Sequence, residues 1–484
     1  MLFMLRGMAE SIKISKSGLL ESRLPFKNTV VLILHLFYLM AVILPGALDY
    51  SAKVSLFIFL SAMTCWVLTK LPAGFIAIAA LMAIILLGGA TPSILYDALA
   101  QEVVWLMIGA FIMGEAVKQS GLTDRMIDYL LKNASCKEKL LRRLTNVLLL
   151  SAFFVPSTSG RAALAKPLIA QIGERWQSEK EKRFLALFTP ILILISTSAT
   201  VIGAGSHLIG VGLLENATGQ SITYIQWFIW GVPFTIVISF LTLYILKWMI
   251  WPKEKRNEKS HVTISQQQKM DGSLNQKEIR ALGFIGLVLL GWLTHPIHHY
   301  DIGFITMLGA MLFMAPVYGV ITWKQAVNSV SWPLILFVAC ATTLGGTLID
   351  TGVINWLEKE LFIGLNLINQ APEWLLLLII LLITITSHFY IHSHTTRAVI
   401  FIPSLIVFSE TIGLDSTSVV FLSLIGMNYC LTFPVSSKAI LLFAEDTSFD
   451  KKQLLQLSGV LMPVYILVMV FFYFTYWQWT GLQL

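Results

Sequence analysis

Long apolar runs repeat along this chain from beginning to end. Thr29 to Leu44, Pro72 to Leu87, Trp227 to Ile250 and Leu375 to Ile385 are examples, and they approach or reach the roughly 20 apolar residues that cross a bilayer core. Reading spans off the pattern places helices at about 29 to 45, 54 to 68, 72 to 89, 102 to 120, 184 to 213, 225 to 250, 281 to 293, 302 to 319, 332 to 350, 418 to 445 and 455 to 480. Two apolar stretches are left over, 145 to 173 and 375 to 410, and each is interrupted at its centre. The pattern predicts an all-α membrane protein of about 11 transmembrane helices with two re-entrant hairpins.

Loop charge tests that reading. If each interrupted stretch enters and leaves by one face, the loops separate as the positive-inside rule requires. One set then holds Lys70, Lys137, Lys139, Arg142, Arg143, Arg175, Lys180, Lys182, Arg183, the tract from Lys253 to Arg280, Lys324, Lys451 and Lys452. The other holds Asp49, Asp97, Glu215, Asp301, Glu358, Glu360 and Asp415, with little more than Lys53 and Lys359 against them. Treating the hairpins as full spans scrambles the separation. The chain therefore starts inside and ends outside, with a cytosolic arm over 1–28 and a cytosolic linker over 251–280. A first half spans 29–250 and a second 281–484. Trp248 and Trp251 mark the inner interface, and Tyr473, Tyr476, Trp477 and Trp479 the outer one. Such a protein belongs in a bacterial inner membrane.

Composition agrees. Of 484 residues 56% are hydrophobic and 13% charged, against about 25% charged in soluble proteins. The net charge of +7 lies in short segments between apolar runs, which argues against a nucleic-acid partner. Cys65, Cys340 and Cys430 lie inside apolar runs and Cys136 in a basic loop, so all four read as packing residues. The clusters His295, His298, His299 and His388, His392 lack the further ligands a metal site needs. No metal and no resident cofactor are expected.

The chain also repeats itself. The first interruption reads Pro156-Ser157-Thr158-Ser159-Gly160-Arg161-Ala162, with Pro167 six residues after the arginine. The second reads His392-Ser393-His394-Thr395-Thr396-Arg397-Ala398, with Pro403 six residues after it. Each is followed by a polar break in an apolar helix. The first break, within 184–213, is Gly203-Ala204-Gly205-Ser206-His207, and the second, within 418–445, is Pro434-Val435-Ser436-Ser437-Lys438. The first hairpin opens inward and the second outward, so the halves form an inverted repeat, the arrangement in which substrate sites form at the repeat interface. Irregular backbone at that depth is tolerated only where protein or a water-filled cavity covers it.

These motifs resemble those of the divalent anion:sodium symporter family, within the larger ion transporter superfamily, over nearly the whole chain. The tips are most similar to the branch of citrate and 2-oxoglutarate/malate exchangers, whose motif runs Ser-Asn-Thr-Ala-Arg-Ala. Cys65 to Pro72 and Trp105 to Leu122 also look like family landmarks. The resemblance implies tips that bind substrate carboxylates, sodium sites beside the breaks, a transport domain moving past a scaffold by an elevator mechanism, and a homodimer. One departure matters: Thr158 and His394 replace the tip asparagines, and His207 and Lys438 replace those of the breaks.

The implied substrate-binding set is Ser157, Thr158, Ser159, Arg161, Ser393, His394, Thr395 and Arg397. The implied coupling or break set is Gly203, Gly205, Ser206, His207, Pro434, Ser436, Ser437 and Lys438. Charges inside a membrane require a reason. Of Glu115, Arg161, Lys166, Arg397 and Lys438 four are basic, and Lys118 pairs with Glu115 one turn away. The cationic surplus suits a small di- or trianion, because an arginine fork matches carboxylate or sulfate. Bracing of the breaks is the alternative role for the arginines, and helix capping for the hydroxyls. His207 and Lys438 also read as resident cations in place of sodium, giving exchange or proton coupling, or else as further braces. The function expected is secondary transport of a di- or tricarboxylate, with a sulfate-like oxyanion as the alternative. A channel is less suited to one inverted pair of hairpins. An intramembrane enzyme is less suited to serines duplicated symmetrically.

Overall fold

A computed structural model describes residues 26–43, 48–69, 71–122, 125, 137–153, 158–176, 178–251, 274–353, 356, 371–391, 393–434, 437–444 and 448–484. The expected arm, most of the linker, Ser157, His392, Ser436 and Cys136 lie outside them. The described residues form an all-helical protein. The first half runs α1 (Phe26–Ile43), α2 (Tyr50–Leu68), α3 (Ala73–Leu86), α4 (Ser93–Ala100), α5 (Glu102–Ser120), α6 (Lys137–Ser151), α7 (Thr158–Arg175), α8 (Glu179–Ser196), α9 (Gly205–Thr218) and α10 (Tyr224–Ile250). The second half runs α11 (Gln276–Leu293), α12 (Ile302–Phe313), α13 (Trp323–Ser329), α14 (Trp332–Asp350), α15 (Glu373–Thr386), α16 (His394–Ile412), α17 (Ser416–Met427), α18 (Lys438–Ala444) and α19 (Lys451–Phe472). Seven of the helical stretches are long and apolar enough to cross a membrane, and four shorter apolar ones accompany them.

The stretches α6–α7 and α15–α16 are hairpins. Lys137, at the start of α6, sits 5.7 Å from the ring centroid of Trp176, just past the end of α7. It also bonds Glu181 at 2.7 Å, so both ends of the first hairpin meet at one end of the molecule. There too Trp251 packs edge-on against Trp176 and Phe184, Lys247 pairs with Glu138, and Arg125 pairs with Glu278. These are the segments that carry the cationic loops. At the opposite end Glu373, which opens α15, accepts from Tyr473 and from Gln478, and Thr417 at the far end of the second hairpin donates to Gln220 at 2.9 Å. The C-terminal turn joins them there through Trp230 Nε1–H and the Thr480 carbonyl. Charge separation along the sequence thus corresponds to a physical separation of loops.

The halves interlock reciprocally. Helix α3 packs on α14 while its counterpart α12 packs on α5; α4 packs on α14 and α13 on α5; α7 packs on α18 and α16 on α9; α10 and α19 pack on each other. A two-fold relation between halves produces this exchange. The short helices α4 and α13 were no part of the expected set of spans. Gln101, between α4 and α5, ties the corner to mid-α14 by donating to Thr343 Oγ1 at 2.9 Å and accepting from Thr342.

At the centre lies α8, buried continuously from Phe184 to its end and on through the break to Ala204. A helix apolar on every side belongs in such a place. Its neighbours are α6, α7, α10 and α18. Helix α9 ends where Gly219 takes φ +70°, a left-handed conformation open to glycine at little cost.

Candidate functional site

The first break is irregular over 197–204. Helix α8 tightens into a 3-10 turn at Thr197–Ala199, Thr200 is extended (φ −146°, ψ 147°), a second 3-10 turn covers Val201–Gly203, and Ala204 is extended before α9 begins. Gly203 is required by space, since a Cβ there would run into the Thr197 carbonyl. Gly231 on α10 is required likewise by the Ser198 carbonyl, which accepts from Trp227 Nε1–H at 3.1 Å. Buried backbone groups need such partners. The second break runs from Asn428 to Ser437, where the Ser437 hydroxyl accepts from Ala439 N–H and caps α18.

All four interrupted segments are joined at the first break. From the first hairpin, Arg161 donates to Ser196 Oγ at 2.8 Å and to the Gly203 carbonyl at 3.5 Å. From the second hairpin, Thr395 lies against Gly205, its Cγ2 3.5 Å from where a Cβ would stand. From the second break, Asn428 reaches back to His207 and Ser198, each at 2.9 Å. Lys166 on α7 donates to the Leu442 carbonyl of α18 at 2.7 Å, which brings the first hairpin onto the second broken helix.

Arg397 is fully buried and donates to Ser387 Oγ at 3.3 Å, within its own hairpin. Among the described residues Arg161 Nε and Arg397 Nε and Nη2 have no hydrogen-bond partner, and neither arginine belongs to any described ion pair. A buried charge without an opposite charge is costly. Each guanidinium is thus a buried positive charge, even though Arg161 uses two of its nitrogens to brace the break. In front of them Thr158, Ser159, His394 and Thr395 are partly exposed and Ser393 exposed. Ser393 Oγ caps α16 by accepting from Thr396 N–H and pairs with Thr395 Oγ1 at 3.0 Å, so capping and an outward-facing hydroxyl coexist in one residue.

Some expected residues lie elsewhere. Lys438 opens α18 with its side chain exposed, so the structure does not bring it to His207 as a resident ammonium inside a break. Glu115 and Lys118 pair at 3.6 Å with side chains 21% and 53% exposed, which makes them a helix-surface pair rather than a buried charge. Ser206 is buried with a hydroxyl that has no described partner, and Pro434 is partly buried. Ser157 and Ser436 lie outside the described residues. His298 holds the Gly291 carbonyl and the Tyr300 N–H with its two ring nitrogens.

Other residues of the site escaped the sequence reading. Asn428 is a lone amide one residue past α17, and its signal was polarity inside an otherwise apolar block. Cys430 reads as packing in sequence, yet it meets His394 Nε2 at 2.6 Å beside Arg397. His388 lies at the head of a chain through Thr432 Oγ1 (2.6 Å), Ser458 Oγ (2.7 Å) and Tyr429 (3.0 Å). A cavity of about 140 Å³ opens near the first break, lined by Glu102, Leu106, Val201, Leu208 and Glu215 among others.

Two interlocked halves with paired hairpins and paired helix breaks are the arrangement in which membrane transporters form substrate sites. The chain belongs to the family described as the sodium:sulfate symporter transmembrane region, whose model matches residues 25–483. It is 23% identical to a membrane protein of Cupriavidus necator over 78% of this chain and 74% of that one. It is 21% identical to the citrate/succinate antiporter of Escherichia coli over 70% and 71% of the two chains, and 23% identical to the L-tartrate/succinate antiporter of the same organism over 60% and 61%. The solved YdaH transporter of Alcanivorax borkumensis shares the fold, with a TM-score of 0.57 at 13% identity over 94% of this chain and 99% of that one. The protein is thus a multi-pass membrane transporter of an anion family.

Proposed function

We propose that this protein exchanges small dicarboxylates, of the size of succinate, tartrate or malate, or the tricarboxylate citrate, across a bacterial inner membrane. The observation that carries the reading is the pair of buried arginines, Arg161 and Arg397, at equivalent hairpin tips with no acidic partner among the described residues. Relatives named citrate/succinate antiporter and L-tartrate/succinate antiporter support the substrate class. In this reading Thr158, Ser159, Ser393 and Thr395, with Ser157, supply hydroxyls to the carboxylates. The hairpins, broken helices, α10 and α19 travel together past a scaffold of α2–α5 and α11–α14. The scaffold holds two copies of the chain together, with the N-terminus in the cytoplasm and the C-terminus outside. The family description makes sulfate the second reading, since a guanidinium fork fits either oxyanion, and it makes sodium the alternative to exchange without an ion.

Counterflow in proteoliposomes is the test. Internal succinate should accelerate uptake of labelled succinate without sodium, and external citrate or tartrate should compete. Uptake competed only by sulfate, or one that requires sodium and no internal anion, would replace this reading with the second.

A further inference from the structure

We propose that His207 and Asn428 form a proton-reading pair at the junction of the two breaks, tying proton uptake to occupancy of the neighbouring anion site. This rests on the reading of that site given above. His207 is fully buried, and both of its ring nitrogens face oxygen acceptors. Nδ1 lies 3.1 Å from the Thr200 carbonyl and Nε2 2.9 Å from Asn428 Oδ1. A neutral imidazole carries one N–H and an imidazolium two, so only the protonated ring makes both bonds at once. In that state the Asn428 amide NH₂ donates to Ser198 Oγ at 2.9 Å. When the Nε2 proton leaves to water in the site, the Asn428 amide turns over. Its NH₂ then donates to Nε2, and its carbonyl oxygen accepts from the Ser198 hydroxyl. The Ser198 hydroxyl rotates to make that bond, and the only covalent bond broken is Nε2–H. Thr200 and Ser198 belong to the first break and Asn428 to the second, so the proton changes the bonds that join the halves.

The groups facing His207 are Arg161 from α7, His394 from α16, and the indole of Trp227 from α10 with ring centroids 4.6 Å apart. None is acidic. An imidazolium adds positive charge to a centre that already holds Arg161, and a bound dianion supports that charge. By linkage the proton then raises anion affinity by the factor by which the anion raises proton affinity. A histidine suits the task because the unperturbed imidazole is the side chain that takes up or releases a proton nearest neutral pH. His388 offers a contrast, because its described bonds fit a neutral ring: Nδ1–H donates to the Ile385 carbonyl and Nε2 accepts from Thr432.

The stacked indole reports the switch, because an imidazolium quenches a neighbouring tryptophan. Purified full-length protein is titrated from about pH 8 to about pH 4.5 while its fluorescence is followed. The wild type should show a quenching transition that His207→Gln and Trp227→Phe lack, and Asn428→Asp should move its midpoint up by about one unit or more. Saturating succinate, or sulfate in a parallel arm, should also move the wild-type midpoint up. Superimposable titrations of wild type and His207→Gln overturn the proposal. So does a midpoint unmoved by any anion that raises the melting temperature. If His207→Gln fails to fold, an unmoved midpoint in Asn428→Asp overturns it instead. If sulfate shifts the midpoint and succinate neither binds nor shifts it, the proton pair stands and the dicarboxylate reading falls.

Discussion

Arg161 and Arg397 occupy equivalent places in the sequence but are bonded differently, one across to the first break and one within its own hairpin. Their removal should differ accordingly. Arg397→Ala should weaken dicarboxylate binding by about tenfold or more with little loss of fold, since a charged partner of the anion is lost. Arg161→Ala should do the same and also lower the melting temperature, because the break loses a brace. Calorimetric titration and thermal unfolding separate the two effects. Gly203→Ala should destabilise more than either, by steric conflict with Thr197, and a melting temperature equal to that of the wild type would contradict this. At this scale the arginines were legible because they recur at one offset within two matching motifs. Asn428 and Cys430 were not, because neither belongs to a repeated motif and their partners, His207 and His394, lie 221 and 36 residues away in sequence.

Among the elements, the hairpins were readable from their interrupted centres together with loop charge, since a helix pair that returns to its own side reverses the sign of every later loop. The short helices α4 and α13 escaped because eight and seven residues carry too little periodicity and are marginal without packing. Irregular stretches at the breaks were placed by their glycine, proline and hydroxyl residues, though the first proved to begin six residues earlier than Gly203, at Thr197. Helix α11 shows how an element is pinned at the cationic end. Glu278 is 1% exposed and accepts from Arg125 at 3.0 Å and from the Asn275 N–H at 2.7 Å. The Arg125 hydrogen bond holds its carboxyl below the usual range. A depressed carboxyl stabilises the fold above its unfolded value of about 4.3, and that stability is lost as pH falls through the lower folded value. Glu278→Gln should therefore lower the melting temperature at neutral pH and flatten its dependence on acid below about pH 4.5.

For the whole molecule, the transport motion proposed above carries α9 past α5. A Cβ built on Gly212 of α9 lies 3.9 Å from Val103 Cβ of α5, within the range a disulfide needs. Val103→Cys combined with Gly212→Cys should cross-link on oxidation, stop counterflow, and recover with reductant. Full exchange by the cross-linked protein would exclude relative motion of these helices. The two-fold relation of the halves was legible from the reversed motifs, whereas the exchange of partners between halves was not, because hydrophobic runs state that a helix is covered and not by what.

That exchange also constrains how the chain reaches its final state in the cell. Helix α7 packs on α18 and α9 on α16, partners that emerge from the ribosome about two hundred residues or more later. The first half must wait in the bilayer with polar breaks uncovered. Synthesised alone it should be degraded, while the two halves expressed as separate polypeptides, divided between 251 and 274, should rescue each other.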